Sequence, residues 1–165
     1  YKKSWRADRK KCKKGVYEIV SVHWIDLINY FFNILKVKKP SLLNILKKGN
    51  SFDNSYNKII LKNKSEIDIF SSYSSPLINN TLFIFKNGLI IQKDNVIEIR
   101  GPALNLDKNN FIIKPKLIKK ISVNFDKDYT SSLSDSVNYF LNIFFKKKYF
   151  KKKDFNCSIK SNKLI

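Results

Sequence analysis

The stretch "TLFIFKNGLIIQ", residues 81 to 92, constrains the fold more than any other. Two runs of β-branched and aromatic residues flank Asn87-Gly88, and such runs favour a pleated, half-buried backbone. Asn and Gly both accept positive φ, so the stretch predicts a tight hairpin with Asn87-Gly88 as its type I′ turn. "IDIFSS" (67 to 72) before it is a candidate strand. "NVIEIR" (95 to 100) after it is either another strand or a continuation across the "KDN" irregularity.

Helical spacing lies on both sides of this sheet. Val22, Ile25, Ile28, Phe32 and Leu35 predict a helix from about Ser21 to Leu35. Trp24, Leu27, Phe31 and Ile34 widen its apolar stripe, so burial on more than one side is expected. Pro40 and Ser41 suit the start of a short helix through "LLNILKK", with Gly49 as its stop. "GNSFDNSYN" reads as a loop and "KIILKNK" as a short strand. Further on, Leu133, Val137, Phe140, Leu141 and Phe144 share one face of a helix over residues 129 to 145. Ser132 and Asp135 suit its first turn, and Lys146, Lys147 and Lys148 its last. That face is expected to pack on protein. The order of elements is that of an α+β domain with basic extensions at both ends.

Charge narrows the choice of partner. Lys and Arg number 33 against 13 Asp and Glu, a net charge of +20 in 165 residues. A polyanion that neutralises it is expected, nucleic acid first and an anionic membrane surface second. Only Arg6, Arg9 and Arg100 are Arg. Lysine favours phosphate contact over bidentate base reading, although an AT-rich coding bias also enriches Lys over Arg. "KKSWRADRKKCKK" places Trp5 among cations, and "KKKYFKKK" does the same for Tyr149 and Phe150.

Enzyme motifs are scarce. Four glycines leave no Gly-rich phosphate loop, and His23 is the only His. It reads as a structural or interface residue of an apolar helix. Cys12 and Cys157 lack metal-ligand spacing and read as free thiols in a reducing compartment. Glu66 and Asp68 sit beside lysines, as solvated charge pairs do. No apolar run approaches a membrane span. With no Met anywhere, the visible chain is expected to lack its true N-terminus.

The order of several short motifs resembles the universal small-subunit ribosomal protein S-nineteen family. Lys13-Lys14-Gly15 with Tyr17, the helix from Ser21, Phe70, Ser71 and Ser74, the run from Thr81 to Gly88, and Gly101-Pro102-Ala103-Leu104 carry the likeness. Val16 stands where that family usually has Pro, and Ser72 and Tyr73 where it usually has two Arg. The resemblance implies an N-terminal helix packed on a small three-stranded sheet with the Asn-Gly hairpin. It implies a basic arm (1–15), a core (16–113) with an insertion at about 36–66, and a basic C-terminal extension (114–165). The implied function is a non-catalytic constituent of the mitochondrial small ribosomal subunit, in the matrix. It would bind rRNA in the subunit head near the A site, beside the S-thirteen protein. No cofactor or metal is expected. The RNA-binding candidates are Lys10, Lys11, Lys13, Lys14, Lys86, Lys146, Lys147, Lys148, Lys151, Lys152 and Lys153. Competing readings are an organelle-encoded nuclease or maturase piece and a peripheral membrane-complex subunit.

Overall fold

The computed structural model describes residues 4–102, 106–146 and 152–165. Its elements form two compact units, Tyr1–Pro76 with Phe150–Ile165, and Leu77–Tyr149.

The first unit is built on strand β3 (Asn54–Leu61). On one edge β3 pairs with β4 (Glu66–Ser72) over nearly its whole length, from Asn54↔Ser72 to Ile60↔Glu66. Its other edge is shared by β1 (Ile34–Val37) and β2 (Ser41–Leu43), which pair with its two ends. All pairs are antiparallel. The gap between β1 and β2 falls at Lys38-Lys39-Pro40, where Pro40 has no N–H to give. Asn57 fills the break, since its Nδ2 donates to the Lys38 carbonyl at 2.6 Å.

Burial alternates along β3 as a period of two demands. Ser55, Asn57, Ile59 and Leu61 are buried, while Tyr56 is exposed. Helix α1 (Val22–Phe31) covers the buried face. Its Ile25 and Ile28, one turn apart, join Tyr17, Ile34, Ile59, Leu61 and Ile69 in the core. Ser21, at the entry to α1, donates to Ser71 of β4 at 3.0 Å and shares a hydrogen bond with Ser55 of β3 at 3.1 Å. These buried hydroxyls satisfy one another and tie the helix to both strands. The second unit is a meander of β5 (Asn80–Phe85), β6 (Gly88–Lys93), β7 (Val96–Arg100) and β8 (Leu117–Ser122). Helix α2 (Phe125–Lys146) follows it. Asn124 caps α2, accepting from the Lys127 amide at 3.1 Å. Helix α3 (Lys152–Leu164) returns to the first unit, where Leu164 and Ile165 pack on the core. Among the described residues, every fully buried apolar side chain belongs to the first unit.

Several expectations are corrected. The small three-stranded sheet with one covering helix is replaced, among the described residues, by two four-stranded antiparallel sheets and three α-helices. The first helix stops at Phe31, and Ile34 and Leu35 belong to β1. Leu27, Tyr30 and Phe31 are exposed, so the widened apolar stripe is uncovered; the second covered side of α1 is the polar one, where Asp26 and Asn29 meet α3. "LLNILKK" forms no helix, because pairing with β3 draws Ser41–Leu43 into a strand. The hairpin exists, but Phe85 pairs with Gly88, so Lys86-Asn87 make the turn. Neither has positive φ; Gly88 carries it, at +146°. The α2 face expected to pack on protein is exposed. Of the S-nineteen motif residues, Ala103 and Leu104 lie outside the described residues.

A Cβ on Gly88 would stand 2.2 Å from the Arg100 carbonyl oxygen across the β6–β7 pair. Gly88→Ala is therefore expected to cost about 1–3 kcal/mol and to broaden backbone NMR signals of residues 80 to 100 before those of β3. An unchanged spectrum would contradict the pairing. Ile59 is 0% exposed. Ile59→Ala is expected to lower the stability of the first unit by ~2–5 kcal/mol in a denaturant melt.

Candidate functional site

The basic N-terminal segment folds back on the loop before β3. Ser4 caps a 3₁₀ turn, Trp5–Ala7, and the Ala7 carbonyl accepts from the Asn50 and Ser51 amides at 3.0 and 3.1 Å. The Arg9 amide donates to Asn50 Oδ1 at 2.6 Å, and its guanidinium lies 4.7 Å from the Phe52 ring centroid. Gly15, at φ +61°, brings the backbone so close to Phe52 that no Cβ fits. Asp53 holds the far side of the loop. It is 0% exposed and accepts from the Ile45 and Leu46 amides and the Asn54 amide group at 2.6–2.8 Å.

This brace delivers the chain into a π-helical turn, Tyr17–Ser21, which runs directly into α1. Such turns widen the helix locally and re-aim the side chains that follow. His23 emerges exposed just after it. Asp26 follows at i+3 as His23's neighbour on the helix surface, and Asn29 at i+6 lies about 120° further round. Helix α3 packs beside them. Ser158 Oγ donates to Asp26 Oδ2 at 3.3 Å, and Asn29 Nδ2 donates to Ser161 Oγ at 3.0 Å and the Cys157 carbonyl at 3.2 Å. Asp26 Oδ1 is shut off from solvent and has no hydrogen-bond partner among the described residues. His23 and Asp26 thus stand one helical turn apart, the imidazole exposed and the carboxylate turned towards α3. Sequence reasoning placed His23 in an apolar helix and overlooked Asp26, whose one signal was its i+3 spacing. It also read Asp53 simply as loop.

Cys12 is not a nucleophile in this setting. Burial first, then hydrogen bonding to and the negative charge of Glu18, push its thiol from 9.0 up to about 11. Cys157 is also a free thiol. Among the described residues no three His, Cys, Asp or Glu side chains converge as metal ligands. No helix among them is long and apolar enough to cross a membrane.

The predicted lysines fall on several elements of both units. Lys10, Lys11 and Lys13 are exposed on the folded arm, and Lys14 Nζ donates to the Ile165 carbonyl. Lys86 sits exposed at the hairpin turn of the other unit. Lys146 ends α2, and Lys152 and Lys153 start α3. Lys147, Lys148 and Lys151 lie outside the described residues.

No family model matches the chain, and no curated protein matches it by sequence. Solved structures do match its fold. An oxidoreductase of Thermotoga maritima superposes with a TM-score of 0.60 at 11% identity, over 96% of this chain and 46% of that one. The UDP-N-acetylglucosamine 3-dehydrogenase of Acidithiobacillus ferrooxidans gives 0.56 at 9%, over 87% and 44%. An oxidoreductase of Agrobacterium radiobacter, solved with NAD+, L-tartaric acid and magnesium, gives 0.52 at 15%, over 70% and 34%. The likeness is to oxidoreductases. At these identities it is a likeness of fold, and the chain spans less than half the length of each. It overturns the S-nineteen assignment, and with it the non-catalytic ribosomal role and the rRNA and S-thirteen partners. The nuclease and membrane-subunit alternatives find no support either.

The residues described do not fit a nicotinamide dinucleotide. Its usual cradle is a parallel βαβ unit with a Gly-rich turn at a helix N-terminus. Here every strand pair is antiparallel. Gly15, Gly49 and Gly88 are already filled by Phe52, Ala7 and Arg100, and Gly101, which has room for a Cβ, stands alone at the end of β7 with no helix directly following it among the described residues.

The Cys12 shift has a testable sign. The folded chain keeps the thiol proton up to about pH 11, whereas the unfolded chain releases it near 9.0. The stabilisation is complete below pH 9 and is lost towards pH 11, at about 1.4 kcal/mol per pH unit. Burial raises Tyr17 as well, so some decline persists at higher pH. Denaturant melts of Cys12→Ala are expected to lose the part that begins at pH 9. An identical pH slope in the variant would refute the assignment.

Proposed function

We propose that this chain is the antiparallel-sheet portion of an oxidoreductase-type enzyme and takes its nicotinamide nucleotide from a separate nucleotide-binding portion. The observation that carries the proposal is the superposition of 96% of the chain on 46% of the Thermotoga maritima oxidoreductase. The antiparallel pairing and the filled glycines support the division of labour. In this reading His23 is the acid–base group that exchanges a proton with a hydroxyl-bearing substrate. Asp26 sits beside it as the positioning carboxylate. The dehydrogenase activity and the NAD+ named for the similar structures favour that chemistry over other uses of an exposed His–Asp pair.

Two measurements test it. Titration calorimetry of the chain with NAD+ and NADPH is expected to give no binding tighter than ~1 mM, whereas a Kd near 10 μM would place the nucleotide site here. In a protein that joins this chain to a nucleotide-binding portion, His23→Gln is expected to lower kcat by roughly 10²–10⁴-fold with nucleotide KM unchanged. Full activity in that variant would remove His23 from the mechanism.

A further inference from the structure

Helix α2 carries an apolar seam that the described chain leaves open. Leu133, Val137, Phe140 and Phe144 follow one another at intervals of four, three and four, the rhythm of a coiled-coil seam. They are 49%, 57%, 66% and 71% exposed. The Phe140 and Phe144 rings stack 6.5 Å apart at 14°, so the seam presents a flat aromatic step. Ser131, Ser132, Ser134, Asp135 and Ser136 occupy positions off the seam. Tyr129, Tyr139, Leu141 and Phe145 add exposed apolar surface beside the seam, and an apolar stripe of this size marks an interaction surface.

We propose that α2 pairs antiparallel with α2 of a second copy of the chain, Leu133 against Phe144 and Val137 against Phe140. The seam reads the same from either end, so a two-fold axis near residues 138 and 139 sets every seam residue opposite another. That is an isologous contact. Charge sets the direction. The first turn carries Asp126 and Asp128 with Lys127 between them, and Asp135 follows, which leaves this end net negative; Lys146 ends the helix, and Lys147 and Lys148 come next in sequence. An antiparallel pair faces the acidic end of one helix with the basic end of the other, and the helix dipoles oppose favourably. A parallel pair would set like charges together. The 22-residue helix is about 33 Å long, and a single helix contact of that length buries well under the ~800 Å² per partner of a standard interface. A contact of that size is expected to be weak. It is independent of the redox reading.

The test uses the full chain in a Cys157→Ser background, Cys12 being buried. Leu133→Cys and Phe144→Cys variants are prepared separately and then mixed under mild oxidation. The mixture is expected to yield a disulfide-linked dimer at least tenfold more efficiently than either variant alone. Equal cross-linking by each variant alone, or none in the mixture, overturns the antiparallel register. Sedimentation velocity of the unsubstituted chain at about 100 μM is expected to show dimer. Phe140→Asp should abolish that dimer with the circular dichroism spectrum unchanged. A monomeric unsubstituted chain, or a dimer that survives Phe140→Asp, overturns the proposal.

Discussion

The first unit depends on strand β3 being paired along both edges while one of its faces is closed by α1. Edge pairing fixes which residues point inward, since a slip of one position would turn Ile59 and Leu61 to solvent and Lys58 into the core. The buried hydroxyls of Ser21, Ser55 and Ser71 reinforce the choice, because their mutual hydrogen bonds exist in one register only. Asn57 acts in the middle of the same strand system and Asp53 just before its start. The first stands in for the missing ladder bond beside Pro40, and the second collects the amides of the turn after β2. The folded arm and the π-helical turn are braced against this strand system, and so is the placing of His23 and Asp26.

The second unit follows a different logic. Its four strands are well paired, yet Leu82, Ile84, Phe85 and Ile118 are each at least half exposed. Hydrogen bonding and cross-strand contacts hold the meander, but a sheet with apolar side chains in water is completed by another surface. Arg100 illustrates how the unit manages internally. Its guanidinium donates twice to Glu98, at 2.8 and 2.6 Å, and once to the Pro115 carbonyl, at 3.0 Å, fastening β7 to the approach of β8. The Arg100 hydrogen bonds and charge hold the Glu98 carboxyl below its ordinary range.

Local structure was legible where local chemistry decides it. The apolar period of α1, the β-branched runs of β4 to β7 and the amphipathic face of α2 all emerge from residue spacing. Elements decided by tertiary pairing were not legible. Ser41–Leu43 looks helical and becomes a strand because β3 offers an edge, and Lys119-Lys120 hide β8 from any alternation test. The ribosomal resemblance failed for a related reason. Gly15 satisfies a close approach to Phe52, Ser72 turns the chain through the Ser74 and Ser75 amides, and Gly88 clears the Arg100 carbonyl. These are the residues that any fold uses at such points, so their order carried less information than it seemed to offer. The site was legible only as a lone His. Asp26, one turn further on, stands out only when α3, far off in sequence, meets it through Ser158.

The account rests on β3, and not the 82–91 hairpin, being the mechanical centre of the chain. Native-state amide hydrogen exchange resolved by residue measures this directly. The account predicts that the amides of Tyr56 to Leu61 exchange slowest, at or near the global unfolding free energy. Those of β5 to β8 should exchange through smaller openings, at least about 2 kcal/mol easier. Slowest exchange in Thr81 to Gln92, with β3 unprotected, would contradict it and return the hairpin to the centre of the fold.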